Sequence, residues 1–381
     1  MASALVRGAD PLATNDGVLP TDVLREILLR VPAKELCRLR LVCRPWRSLT
    51  SDPRFATAHS ARHPMFVGVL PDTGLDEIHL VDLCSGSVVK RVCGPTGLCS
   101  HLSTQAGLVC VSAEPIGRAA QDLVLNPATG AVSALPFGDR PSMVLEFVLG
   151  YVPSTGEYKV VRVGRYACQV EERMKTVFQV VALGGGEQRW RAKPSPVDII
   201  ADSRFIAVVS GVAYFMATYD DDEHDDDSGS DMGPELVLFD LATEEWRPKI
   251  IYGPLHEADR IRIVSLDECL VIADHKDQDC SMDLWFLMDA DNASYWTKRY
   301  SMRCAPHFDH APMYPPRLLV ILEDGRIVAL LKWKDLLIVH DPKTQTWDDF
   351  TTVAYYSAIG MHQGSLLDSD LLGWNLEPSS D

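Results

Sequence analysis

The spacing of apolar positions changes once along the chain, and the change divides it. Between Leu19 and His59 apolar residues return at three- and four-residue steps, the period of helices that pack on one side. Pro20 suits a first helical position, and Asp22 lies in the first turn, where the helix dipole favours an anion. Val23, Leu24, Ile27, Leu28 and Val31 then gather on one side, with Arg25, Glu26 and Arg30 elsewhere. Pro32 ends this helix and opens a second carrying Leu36, Leu39 and Cys43; Pro45 opens a third carrying Trp46 and Leu49. Three helices this short cannot hide Leu19, Leu24, Ile27, Leu28, Leu36, Val42, Trp46 and Leu49 all at once. Part of that set is expected to stay exposed, as in a docking module, over residues 17–62.

From about Met65 the texture turns to short runs of Val, Ile, Leu, Phe and Tyr separated by Gly, Pro, Asn and Asp, the pattern of an all-β domain. One unit recurs: an alternating apolar strand, an Asp or Asn, a turn with Pro, Thr or Gly, and a second strand that often opens near a Trp. Clear copies occupy residues 78–86, 123–130, 236–246 and 337–347, with another at 283–296 and a degenerate one at 178–190. Asp and Asn suit the turn because their side chains bond nearby backbone N–H groups. Successive copies lie roughly 45 to 60 residues apart, the range for four-stranded propeller blades. Strand signals at 148–163, 206–217 and 318–331 supply further strands between copies. The expected fold is therefore an α+β multidomain chain: a small N-terminal three-helix module, then an all-β domain over residues 65–368, a β-propeller of about six blades. A pair of β-sandwiches with similar turns is the alternative.

Charge refines the picture. The 381-residue chain carries a formal charge of −17, which argues against nonspecific nucleic-acid binding. The helical module runs the other way: Arg30, Lys34, Arg38, Arg40, Arg44, Arg47, Arg54 and Arg62 face only Glu35 and Asp52 in that stretch. With the apolar pattern beside it, a basic face of this kind fits an acidic protein partner better than the DNA of a helix-turn-helix. Residues 220–232 form an acidic insertion expected to be a solvated loop, because eight carboxylates between Asp220 and Asp231 cannot be buried together. Their spacing fails the EF-hand calcium pattern, while Ser228 with Asp231 three residues later suits an acidophilic kinase. Residues 1–16 read as a disordered leader and 369–381 as a tail.

The ten cysteines are scattered without a CxxC pair or zinc-finger spacing, as expected of reduced thiols. The sequence shows no signal-peptide pattern and no bilayer-length apolar run, so a cytoplasmic or nuclear protein without membrane contact is expected. No hydrolase elbow, zinc-protease, phosphate-loop or dinucleotide motif is present. His307 and His310 form an HxxH without further ligands. Neither a catalytic residue nor a metal or cofactor is expected. Trp190, Trp246, Trp296 and Trp347 recur at matching places and read as blade packing. Features that occur in one copy only are the better candidates for target recognition: Tyr219, Trp285, Trp333, and the loop 306–316 with His307 and His310.

The order Leu19-Pro20, Leu24, Ile27-Leu28, Arg30-Val31-Pro32, Leu36, Arg40, Val42-Cys43, Trp46, Leu49, Asp52-Pro53, Phe55 and His59 resembles the F-box, in the form common in plant proteins. Glu35 stands where a serine is frequent, and Pro45 interrupts the polar pair before Trp46. Residues 126–130 and 149–161 resemble the plant F-box-associated β domain, a distant relative of kelch propellers that lacks their glycine pairs. The resemblance implies a non-catalytic substrate receptor of a cullin-type ubiquitin ligase. In it Leu19, Pro20, Leu24, Ile27, Leu28, Pro32, Leu36, Val42, Cys43 and Trp46 would face, or pack behind, the Skp adaptor, and the β domain would hold an unknown target. An adaptor-bound scaffold without a degraded target, and a propeller enzyme or small-ligand sensor, are the alternatives.

Overall fold

The computed structural model describes residues 19–71, 76–94, 98–114, 120–127, 129–167, 174–184, 188–197, 199–217, 234–254, 261–276, 281–288, 295–303 and 316–362. Prolines punctuate its helical part. The three expected helices are α1 (Thr21–Leu28), α2 (Ala33–Leu39) and α3 (Arg44–Thr50). Pro20 and Pro32 stand one position ahead of the first helical residue, where their carbonyls accept from Leu24 N at 3.0 Å and Leu36 N at 3.1 Å. A fourth helix, α4 (Pro53–Arg62), follows at once. Its start is explained locally: Pro53 fills the first turn, and the Asp52 carboxylate accepts from Arg54 N at 2.8 Å.

Six four-stranded antiparallel sheets come next, one for each copy of the sequence unit. Blades 2 to 6 are continuous in sequence, at 98–134, 143–193, 206–252, 261–303 and 317–352. Blade 1 is composite. Its outer three strands are Met65–Leu70, Glu77–Asp82 and Val88–Cys93, and its innermost is Ala358–His362 from the far end of the chain. That last strand pairs with Met65–Leu70 from Met65↔His362 to Val69↔Ala358 and closes the ring. Just before it, the Tyr356 ring lies flat on Gly68, where a Cβ would come within 2.5 Å of the ring, so no larger residue fits. Ser357 N donates to Val69 O at 2.9 Å.

The repeated turn is built as its sequence suggests. Side-chain oxygens of Asp82, Asn126, Asp240 and Asp341 accept from backbone N–H groups two or three residues on, at 2.7 to 3.3 Å. The recurring tryptophans reach across to the neighbouring blade. Trp190, Trp296 and Trp347 donate from Nε1 to the carbonyls of Pro136, Tyr252 and Arg303 at 2.7, 2.8 and 2.6 Å, each near the end of the preceding blade's outer strand. Trp246 packs instead among Phe178, Phe215 and Phe239. Apolar layers fill every boundary between adjacent blades, and a separate cluster of Leu24, Leu28, Leu29, Leu36, Phe55 and Ala56 holds the helices together.

Between blades 2 and 3 the seam is ionic. Arg162 is fully buried; it donates to Gln179 Oε1 at 2.9 and 2.6 Å, to Asp139 O at 3.1 Å and to Asp122 at 3.4 Å, with the Trp190 ring 4.1 Å from its guanidinium. Asp122 also accepts from Arg140 at 2.6 Å and Ser112 at 2.8 Å. Asp122→Ala strips a buried guanidinium of its counter-charge and is expected to cost about 3–5 kcal/mol in urea unfolding. Trp347→Phe loses a single bond to Arg303 and should cost about 1 kcal/mol by the same measurement.

Candidate functional site

The chemistry-bearing surfaces lie at the two ends of the propeller axis and on the helices. The strands that line the axis are Leu98–Gln105, Met143–Val152, Ile206–Val209, Ile261–Leu266, Arg317–Ile321 and Ala358–His362. Three of them turn back tightly at their C-terminal ends, with positive φ at Ala106 and Gly107, Ser210 and Gly211, and Asp267 and Glu268. Helix α4 stands over that end. Pro53, Ala56 and Ser60 face Tyr151, Leu266 and His362 across a cavity of about 850 Å³. The helix is tied to the rest of its module by His59 and His63, whose Nε2 atoms lie 2.8 and 3.0 Å from the carbonyls of Val31 and Leu29. Arg62 pairs with Glu26 at 3.0 Å.

The other end of the channel receives the connections between blades, of which 95–97, 255–260 and 304–315 lie outside the described residues. Phe137 (75% exposed) and Tyr355 (61%) stand on two of these connections, and Met143 begins an inner strand beside them. Inside the mouth a cavity of about 200 Å³ is lined by Arg204, Arg262 and Arg317 together with Glu146 and His275. Arg204 pairs with Asp202 at 2.9 Å, and His101 Nδ1 lies 3.3 Å from Glu146. Burial works to raise the Asp202 carboxyl, but hydrogen bonds from Arg204 hold it below the usual carboxylate range. Burial, joined by repulsion from Arg317 and Arg204, brings the Arg262 guanidinium down to about 10.

The helices have a different surface. In α1, Leu24 and Leu28 point inward while Val23 and Ile27 point outward; between α2 and α3, Leu41 (88% exposed) and Val42 (64%) stand in solvent. Arg40 braces that turn by donating to Thr50 O at 2.7 Å.

Residues 18–57 match the F-box domain, and residues 72–354 match the F-box associated beta propeller domain. The chain is an F-box protein with an F-box-associated propeller. F-box protein At3g49450 of Arabidopsis thaliana is 30% identical over 53% of this chain and 55% of the relative. F-box protein CPR1 of the same plant is 25% identical over 75% of this chain and 73% of the relative. The chain spans about half the length of the first of these relatives. Among solved structures, TolB from Acinetobacter baumannii covers 79% of the chain and 67% of its own, at 8% identity and a TM-score of 0.46. The strand order, and not that likeness, establishes the propeller.

Within the F-box the ten residues expected at the adaptor divide in two. Leu24, Leu28 and Leu36 are buried, and Trp46 packs partly against them, so these four build the module. Leu19, Pro20, Ile27, Pro32 and Val42 are exposed and Cys43 is half-buried. Val23, grouped with Leu24, Ile27 and Leu28 on one side of α1, and Leu41, which was not singled out, are both exposed. Val23, Leu24, Ile27 and Leu28 of α1 span more arc than one neighbour can cover, which is the signal that some face outward.

Of the single-copy candidates for the target, Tyr219, His307 and His310, like the acidic insertion 220–232, lie outside the described residues. Trp285 is part of the packing between blades 4 and 5, its ring crossed by Lys298 at 5.5 Å. Trp333 is half-buried in a short 3-10 turn, Lys332–Lys334, against the layer between blades 5 and 6. The arginines of the channel mouth went unnoticed in the sequence, because isolated arginines in strands carry no local signature. No helix among the described residues is long and apolar enough to cross a membrane.

His362 marks the end of the channel beneath the F-box. It is buried, with neither ring nitrogen bonded among the described residues, and burial lowers its pKa from 6.5 to about 4. Folding therefore removes a proton that the unfolded chain holds below about pH 6.5, so stability is full above that pH and is lost as pH falls toward 4. His362→Leu should flatten this profile, gaining about 1–2 kcal/mol at pH 5 relative to pH 7.5 in urea titrations.

Proposed function

We propose that this F-box protein is the substrate-recognition subunit of a cullin-type ubiquitin ligase, working in the cytoplasm or nucleus. The F-box docks on a Skp adaptor, and the end of the propeller opposite α4 holds the target. What carries the reading is the exposure of Val23, Ile27, Leu41 and Val42 on a family-matched F-box whose last helix is turned toward the propeller. Apolar residues in the open on so small a module call for a protein partner. Exposed Arg30, Arg44 and Arg47 around them add positive charge suited to an acidic surface.

The two surfaces divide the work. With α4 over the C-terminal end of the channel, a target on the opposite mouth stands clear of the adaptor. Phe137 and Tyr355 stand exposed on connections at that end, and exposed aromatic residues are typical of recognition surfaces. The chain itself makes and breaks no bond in this reading. It holds target and ubiquitin-carrying enzyme on one scaffold, so that an encounter in solution becomes effectively intramolecular.

Co-expression with a Skp adaptor followed by co-purification tests the first contact. The wild type should carry the adaptor through purification, whereas Ile27→Asp combined with Val42→Asp should lose it with an unchanged melting temperature, because both side chains already face solvent. Retention of the adaptor by the double variant would overturn the reading. Leu24→Asp is the wrong variant for this purpose: it places a carboxylate in the core of the F-box and unfolds it.

A further inference from the structure

The mouth of the channel holds positive charge that the described residues answer only in part. Arg204, Arg262 and Arg317 come from three consecutive blades and line one cavity. The acidic groups nearby are already engaged. Asp202 is 2.9 Å from Arg204 and gives Arg262 only a longer-range attraction; Glu146 lies 3.3 Å from His101, accepts from Phe147 N at 3.0 Å and gives Arg317 likewise only a longer-range attraction. Arg262 has no carboxylate within ion-pair distance among the described residues, and its Nε is buried without a hydrogen-bond partner. A buried donor without an acceptor is costly, and two further guanidinium groups repelling it add to that cost. The arrangement is completed by an anion with several acceptor oxygens, which forked guanidinium donors recognise better than any other side chain.

We propose that this mouth is a binding site for a phosphate-type oxyanion, with Arg262 and Arg317 as the donors within and Arg204 at the rim. The cavity of about 200 Å³ is roomy enough for a phosphoryl group together with part of the molecule that carries it. Its biological meaning rests on the receptor reading: the phosphoryl group belongs either to a phosphorylated side chain of the target or to a small phosphorylated molecule seated beneath the target.

Thermal melting of the full-length chain at constant ionic strength, in chloride and in millimolar inorganic phosphate, tests the site. Phosphate should raise the melting temperature of the wild type and of the exposed control Lys175→Gln. Arg262→Gln should melt higher than wild type in chloride, because repulsion is relieved, and should lose the rise with phosphate. A merely structural Arg262 would show the opposite sign in chloride. Direct titration with a phosphoserine peptide, its unphosphorylated form and inositol hexakisphosphate then separates the sources, with affinity for the phosphorylated ligand falling about tenfold or more in Arg262→Gln. Arg317→Gln repeats the test at a second position. An unmoved wild type, or a rise with phosphate in both arginine variants as large as in the wild type, overturns the proposal. Adaptor co-purification by Arg262→Gln should be unchanged, so failure here is distinguishable from failure of the receptor reading.

Discussion

A β-sheet has edges whose unpaired N–H and C=O groups demand partners, and a ring of sheets has a seam where the chain's two ends must meet. Here the seam is the pairing of Ala358–His362 with Met65–Leu70. Tyr356 against Gly68 and the bonds from Ser357 to Val69 hold the incoming strand in register, across a separation of 288 residues. The two boundaries of blade 1 depend on this joint directly, since their apolar layers include Phe66, Tyr356 and Ile359 on one side and Met65, Val67 and Ala358 on the other. Stability in such a molecule belongs to the boundaries and much less to the blades.

The boundaries differ in how they use polar groups. Three carry a Trp donating to the previous blade's carbonyl, a bond that orients as well as attracts. Blades 2 and 3 add the buried Arg162 cluster, in which carboxylate, amide and carbonyl share one guanidinium. Blades 3 and 4 are joined by Lys159, 3.0 Å from Glu244, which also receives Arg191. In these arrangements each carboxylate accepts from two or more basic groups, although one Arg140 nitrogen remains buried without a partner. At the channel mouth Arg204 has Asp202, while Arg262 has no carboxylate within ion-pair distance among the described residues.

Much of the architecture was legible in the sequence because it is carried by local chemistry. Asp82, Asn126, Asp240 and Asp341 announced their turns, and the strand preceding each turn could be read from its apolar pattern. The number of blades followed from the spacing. Helix α4 was not set apart, since Phe55 and His59 could be placed in a motif without showing that Asp52 and Pro53 start a new helix. The division of the F-box residues into core and surface was hidden for a different reason: Leu24 and Ile27 are equally apolar, and only the packing of Leu36 and Phe55 decides which is covered. The channel mouth was invisible because Arg204, Arg262 and Arg317 are far apart in sequence and meet only once the ring is closed.

The composite first blade also sets an order of events during synthesis. The F-box and three strands of blade 1 leave the ribosome first, and those strands wait with an unpaired edge while the other five blades are made. The ring can shut only after residue 362 has emerged, so a chain cut short before Ala358 keeps a finished docking module on an open, edge-exposed propeller. Such a fragment keeps the surface of the F-box while lacking a complete channel, so the integrity of the two ends of the molecule is decided at different moments.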